Sequence, residues 1–317
     1  MKKVGTLGFV FPGQNSQQVG MLGALAQQFP LVEACFAEAS AVLDYDLWHL
    51  VQNGTAEQLA LTHITQPAIL TASVAIWRVW LAAGGPEPAL MAGHSLGEYS
   101  ALVCADALAF DTAVALVRRR GELMQNAVPV GVGAMAAIIG LDDAAVITAC
   151  EETAESELVV AANFNSPGQV VIAGHSAAVE RAMVRCKTMG ARRALRLSVS
   201  APFHSPLMQS ASEQFAEVIA QVTLRSPRIP VVQNADLSSS ADPEIIRRNL
   251  VAQIHSPVPW VATVNTLIDR GITTLFEFGP DRVLCGLNRR IAPQAGTQSV
   301  NDPANLDVAL QAAAALV

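Results

Sequence analysis

The sequence predicts an α/β fold, a parallel sheet clothed by helices, with a smaller α+β unit inserted into it. Three observations carry this. Hydrophobic residues fill 51% of the 317 positions and charged ones only 15%, so the main sheet is expected to be covered on both faces. The first third alternates short apolar runs with segments of helical spacing, the pattern of a parallel sheet. From about residue 128 to 200 the order becomes strand, helix, strand, strand, helix, strand, the split unit of a ferredoxin-like module. At about 150 residues per domain, the length suits two domains or one large one.

The elements follow in order. Lys2-Lys3 and the run from Val4 to Phe11 faintly imitate a signal peptide. Gly5, Gly8 and Pro12-Gly13 break the run and no small-residue cleavage site follows, so it reads as a first strand, Leu7 to Phe11. Met21 to Ala41 has helical spacing. Ile64 to Gly84 holds another helix, with Pro67 in its first turn and Gly84-Gly85 after its end. Ala89 to Ala92 is a second buried strand, and Leu116 to Gln125 is helical. In the inserted unit, Met135 to Ile139 is a strand, Asp142 to Glu151 a helix and Leu158 to Asn163 a strand. Asn165-Ser166-Pro167-Gly168 turns tightly into the strand Gln169 to Ala173; Ser176 caps a helix to Met189, and Ala194 to Val199 is the last strand. From Pro202 the α/β alternation returns, ending with the strand Thr274 to Phe278. The expected division is a large discontinuous domain, 1–127 and 203–317, and a small subdomain, 128–202.

Composition excludes several classes. Twenty Lys and Arg against 27 Asp and Glu give a net charge of −7, which argues against nucleic acid as the partner, since phosphate binding rests on basic side chains. No run approaches the roughly 18 apolar residues of a membrane-spanning helix. So apolar a chain is not disordered. The five cysteines are scattered without CxxC spacing, which suggests neither a disulfide framework nor a zinc site and fits a reducing cytoplasm.

Gly93-His94-Ser95-Leu96-Gly97 fits G-x-S-x-G, with a strand before it and helix-forming residues after it. That context is the nucleophile elbow: Ser95 sits in a strained turn with its hydroxyl exposed, and the glycines admit neighbouring chain. The N–H of Leu96, at the helix N-terminus, points where an oxyanion forms. A serine nucleophile needs a base, normally histidine. His94 diverges from Ser95 at a tight turn, and His49, His63 and His175 have ordinary surface or helix-end contexts; the residues alone leave His204 and His255 open. Arg120 falls on the helical face of Val117 and Met124, whereas Arg118 and Arg119 point away. An arginine on an apolar face needs an anion. Either an internal Asp or Glu or a substrate carboxylate held by two parallel hydrogen bonds satisfies it.

The stretch GHSLGEYSALV resembles the active-site segment of the malonyl-CoA:acyl-carrier-protein transacylases. So do FPGQNSQ, TQPA at Thr65 to Ala68, FNSPGQVVIAG at Phe164 to Gly174, and EFGPDRVLCGL near the end, so the similarity runs along nearly the whole chain. The resemblance implies a hydrolase-like α/β core with a ferredoxin-like insertion. It implies His204 as the catalytic base, oriented by the backbone carbonyl of Gln253, and Arg120 as the malonyl-binding arginine. Gln14 and the Leu96 N–H are implied as oxyanion donors. Phe203 resembles the phenylalanine of malonyl-selective acyltransferase domains in polyketide synthases, a ring that crowds an α-methyl branch. Two departures stand out: Asn15 where the family usually has glycine, which puts the aim of Gln14 in question, and Asp281-Arg282 where it often has glycine and lysine.

The expected activity is ping-pong transfer of malonyl from malonyl-CoA, through malonyl-Ser95, to the phosphopantetheine thiol of an acyl carrier protein. No metal or redox cofactor is implied, and nothing demands more than a monomer. Carrier proteins are acidic, so Lys187, Arg192, Arg193, Arg196, Arg289 and Arg290 are candidate docking residues. A serine hydrolase or thioesterase shares Ser95 and His204 without needing Arg120, and a non-catalytic carrier-binding protein is the other alternative class. Fatty-acid synthesis, a polyketide pathway and a malonate decarboxylase remain open as destinations of the acyl group.

Overall fold

The computed structural model describes residues 6–199 and 201–316; Lys2, Lys3 and Val4 of the signal-like stretch, and Ser200, lie outside them. Five strands form a parallel sheet: β1 (Leu7–Phe11), β2 (Leu90–Gly93), β7 (Val231–Val232), β8 (Thr274–Glu277) and β9 (Gly296–Ser299), in the order β7-β2-β1-β8-β9. The other four are antiparallel: β3 (Gly133–Ile139), β4 (Val159–Ser166), β5 (Gln169–His175) and β6 (Arg193–Arg196), in the order β4-β5-β3-β6. With helices Asp143–Thr153 and Ser176–Thr188 on one face, this is the βαββαβ module inserted in an α/β core, as the order of elements predicts.

β1 is buried at every position because both faces of the main sheet are covered. On one side Phe9 meets Phe276, Phe278, Trp77 and Trp80, with Phe9 and Phe278 centroids 4.4 Å apart. Burying each such ring stabilises the fold by about 1.5–3 kcal/mol. The two tryptophans lie on the Thr62–Ala82 helix, which is buried almost all round. Pro67 is not in its first turn but is its sixth residue, so the helix goes without the bond from position 67 to the carbonyl of His63.

Three other local expectations are corrected. Met21 to Ala41 is two helices, Gly23–Gln28 and Leu31–Leu43, because Pro30 cannot donate to the first and instead caps the second. Ser176 is the first helical residue rather than the cap; His175 holds the cap position, and Ser176 Oγ accepts from Arg196 instead. The last strand of the module covers Arg193–Arg196, not Ala194 to Val199, since Leu197 and Val199 turn toward a cavity between the two sheets.

The register Phe11↔Gly93 brings the carboxyl ends of β1 and β2 side by side. Ligand crevices of open α/β sheets form at such ends, and the loops carrying Gln14 and Ser95 leave from there.

Candidate active site

β2 ends at Gly93, and helix Gly97–Cys104 starts after three intervening residues. Between them Ser95 has φ 51°, a left-handed angle that costs an ordinary residue about 1–3 kcal/mol and persists only when its surroundings over-determine it. They do. A Cβ on Gly93 would lie 1.9 Å from the Gly97 carbonyl carbon, and one on Gly97 1.9 Å from Phe11 O, so both glycines are obligatory. The Ser95 N–H donates to Asn234 Oδ1 at 2.8 Å, and Asn234 Nδ2 donates to Gly93 O at 2.8 Å. Leu96 opens the helix with an N–H that finds no acceptor among the described residues.

The structure separates the two candidate bases. His204 Nε2 is 2.8 Å from Ser95 Oγ, and its Nδ1 is 3.0 Å from the backbone oxygen of Gln253. A proton on Nδ1 donated to that carbonyl leaves the Nε2 lone pair facing the serine hydroxyl. His255 bonds Ser212 Oγ, 3.0 Å away, and takes no part. His94 Nε2 meets Asn165 Oδ1 at 2.8 Å, and the ring lies beside Trp260.

Arg120 is 1% exposed, whereas Arg118 and Arg119 reach outward to Glu122. Its Nη1 donates to Gln66 Oε1 at 2.8 Å, and its Nη2 to Gln253 Oε1 at 3.0 Å and Ser95 Oγ at 3.1 Å. Nε has no partner, and no carboxylate pairs with the guanidinium among the described residues. The internal ion pair, one of the two readings of this arginine, is therefore not what holds it. The Gln253 side chain links three groups, since its Nε2 also donates to Glu98 Oε2 at 2.7 Å and Ser95 O at 3.2 Å.

A cavity of about 250 Å³ opens over Ser95 and His204, lined further by Gln14, Asn15, Phe203 and Leu287. Gln14 is half-buried on its rim. Asn15 adopts φ 77°, so it takes up the left-handed angle that glycine would otherwise supply, and Gln14 stays among the residues that line the cavity. Arg120 is not on the cavity wall; it meets the cavity only through Ser95 Oγ. Among the described residues no cluster of three or more His, Cys, Asp or Glu is arranged to hold a metal.

Burial, and after it the Arg120 charge, push the His204 imidazole down from 6.5 to about 3. Burial raises the Glu98 carboxyl from 4.5 to about 7. His204 therefore stays neutral, the form a general base needs, down to strongly acidic pH. In a Glu98→Gln variant, which removes the other group titrating there, the expected kcat/KM for a thioester substrate is flat from about pH 8 to 5. An acid limb near 6.5 would show that His204 is not depressed.

Gln66, Glu98, Asn234 and Asn165 were missed as site residues. Gln66 and Asn165 lie inside the segments TQPA and FNSPGQVVIAG, so a signal existed, and Glu98 reads as an ordinary helix former. Asn234, in a loop 139 residues from Ser95, carries no local signal.

Residues 8–295 match the family model for the acyl transferase domain. A malonyl CoA-acyl carrier protein transacylase of Salmonella typhimurium is 55% identical over 95% of this chain and 98% of its own length. The solved transacylase of that kind from Coxiella burnetii superposes with a TM-score of 0.96 at 49% identity, covering 98% of both chains. A malonyl-transacylase solved in complex with a type II polyketide acyl-carrier protein gives 0.96 at 53% identity, over 97% of this chain and 99% of that one.

Proposed function

The chain belongs to the acyl transferase domain family, among its malonyl CoA-acyl carrier protein transacylases, and from that premise we infer how its own residues transfer malonyl from malonyl-CoA to an acyl carrier protein. The observation that carries the reading is the hydrogen-bonded line Arg120–Ser95–His204, of which Ser95 and His204 line the cavity and Arg120 lies behind them. It unites a carboxylate-binding cation, a nucleophile and a base. His204 takes the Ser95 proton as Oγ attacks the thioester carbon. Leu96 N–H and Gln14 donate to the oxygen that becomes anionic, each such donor being worth about 2.7–4 kcal/mol in the transition state. Collapse expels coenzyme A, and His204 returns the proton to its sulfur. The carrier's phosphopantetheine thiol then attacks malonyl-Ser95 with His204 again as base. Arg120 holds the malonyl carboxylate through both halves. No metal or redox cofactor enters these steps.

The test is incubation with malonyl-CoA alone, then with holo acyl carrier protein. Intact mass analysis is expected to show one malonyl group on Ser95, discharged to the carrier on its addition. Rapid malonyl-CoA hydrolysis without carrier would instead mark a thioesterase.

Phe203, 6% exposed, lines the cavity next to His204. Its ring leaves little room for an α-methyl branch, and overpacking costs about 1–3 kcal/mol. Methylmalonyl-CoA is therefore expected to react at least about tenfold more slowly than malonyl-CoA, and comparable rates would remove this role.

The cavity lies between a core of residues 1–127 and 203–317 and a subdomain of residues 128–202, the division we propose. Arg192, Arg193 and Arg290 surround a second cavity that shares Gln169 with the first, and none of the three forms an ion pair among the described residues. They are the proposed docking site for an acidic carrier. Arg196, by contrast, pairs with Glu180. Reversing the charge of Arg193 and Arg290 together is expected to raise KM for the carrier and flatten its salt dependence, with malonylation of Ser95 unchanged.

A further inference from the structure

In the site as it stands, Arg120 holds the nucleophile. A serine hydroxyl has one proton and two lone pairs. The proton faces His204 Nε2 at 2.8 Å, and one lone pair accepts from Arg120 Nη2 at 3.1 Å. Two further Nη hydrogens are donated to Gln66 and Gln253, and Nε–H finds no partner among the described residues. Glu98 approaches the guanidinium only through Gln253, which it binds at 2.7 Å. A buried, carboxylate-free cation therefore sits one hydroxyl away from an imidazole that must itself become cationic when Ser95 attacks.

We propose that the carboxylate of the acyl donor switches the dyad on: by taking over Arg120 it frees Ser95 Oγ and cancels the charge that opposes proton uptake by His204. This rests on the malonyl-transfer reading and deepens it. Selection among acyl donors is then exerted on the rate of acylation, beyond any gain in binding. A thioester without a carboxylate meets a nucleophile still held by Arg120.

The step balances. The Ser95 proton passes to His204 Nε2, the Oγ–C bond forms and the thioester oxygen becomes anionic. The C–S bond breaks as that oxyanion collapses, and the proton leaves on the coenzyme A sulfur. His204 is cationic only between the first and last of these events, the interval in which an uncompensated Arg120 repels it most. The other titratable groups of this site are His94, Glu98 and Tyr99, whose ring centroid lies 5.3 Å from the Arg120 guanidinium carbon and whose phenol burial pushes well above its ordinary value, so that it stays uncharged. Burial lowers the His94 imidazole and keeps it uncharged. Glu98 is turned toward Asn234 N and Gln253. None of the three forms an ion pair with Arg120 among the described residues. The depression of His204, to which the Arg120 charge contributes after burial, has the sign this requires.

Acetyl-CoA supplies the thioester without the carboxylate, and formate is the smallest free carboxylate. Acetylation of Ser95 by acetyl-CoA is followed by rapid quench and intact mass, with sodium formate or sodium chloride at equal ionic strength. Formate is expected to raise the acetylation rate constant saturably by about threefold or more, since a neighbouring charge in a buried site alters proton transfer strongly. The Arg120→Ala variant is expected to show no formate response. If Arg120 merely binds carboxylates, formate leaves acetylation unchanged or slows it, and either result overturns the switch. So does a formate effect that survives in Arg120→Ala. The same preparation is assayed for malonyl transfer to holo acyl carrier protein. Its absence overturns the functional reading, whereas normal malonyl transfer without formate activation overturns the switch alone.

Discussion

Ser95→Ala is expected to leave a folded protein that no longer accepts a malonyl group. Loss of a nucleophile that acts as a unit with its base typically costs about 10⁴-fold or more in kcat. Alanine keeps the left-handed turn, whose angle is imposed by Gly93, Gly97 and Asn234 rather than by the hydroxyl. The far-ultraviolet circular dichroism should thus match the parent while the mass shift with malonyl-CoA disappears. Malonylation that persists at any residue of this variant would place the nucleophile elsewhere.

Arg120→Ala has the second largest expected effect, and the informative quantity is a ratio. Removing one partner from a buried charge pair costs about 3–5 kcal/mol, which is roughly 10²- to 4 × 10³-fold in malonyl transfer. Acetyl transfer makes no such pair and should not fall with it; loss of the cation that holds Ser95 Oγ and opposes proton uptake by His204 should raise it. The variant also strands the acceptors on Gln66 and Gln253, and an unsatisfied buried acceptor costs about 1–3 kcal/mol, so some loss of stability accompanies it. Because both activities are read on one preparation, the malonyl-to-acetyl ratio is insensitive to the fraction folded. Equal losses for the two donors would end the role of Arg120 as the carboxylate reader.

Much of this architecture is legible in the residues because it rests on local constraints. Gly93, Ser95 and Gly97 announce the elbow, since no side chain fits where the glycines approach Gly97 and Phe11. The inward arginine follows from helical spacing, because only Arg120 of three shares a face with Val117 and Met124. The order of elements from Gly133 to Arg196 spells out the small module. Legibility fails where a role is set by a distant partner. Nothing near His204 or His255 says which of them meets Ser95, since the choice depends on how residues beyond the insertion fold back; the resemblance decided it, and the 2.8 Å contact agrees. Asn234 is invisible for the same reason. Helix ends fail differently. Pro30 splits a continuous apolar spacing that, read by periodicity alone, runs through it.

The inserted module also bears on how the enzyme assembles. Ser95 and His204 are 109 residues apart, and Arg120 and Gln253 are 133 apart, with the entire four-stranded sheet emitted by the ribosome between nucleophile and base. Contacts of such sequence separation form late, because closing their loops loses chain entropy before any bond compensates. The module is made of nearer neighbours and can condense first, shortening the effective loop that joins the elbow to His204. Catalytic competence is thus among the last properties the chain acquires as it folds, and the strained serine becomes reactive only once the structure that restrains it is complete.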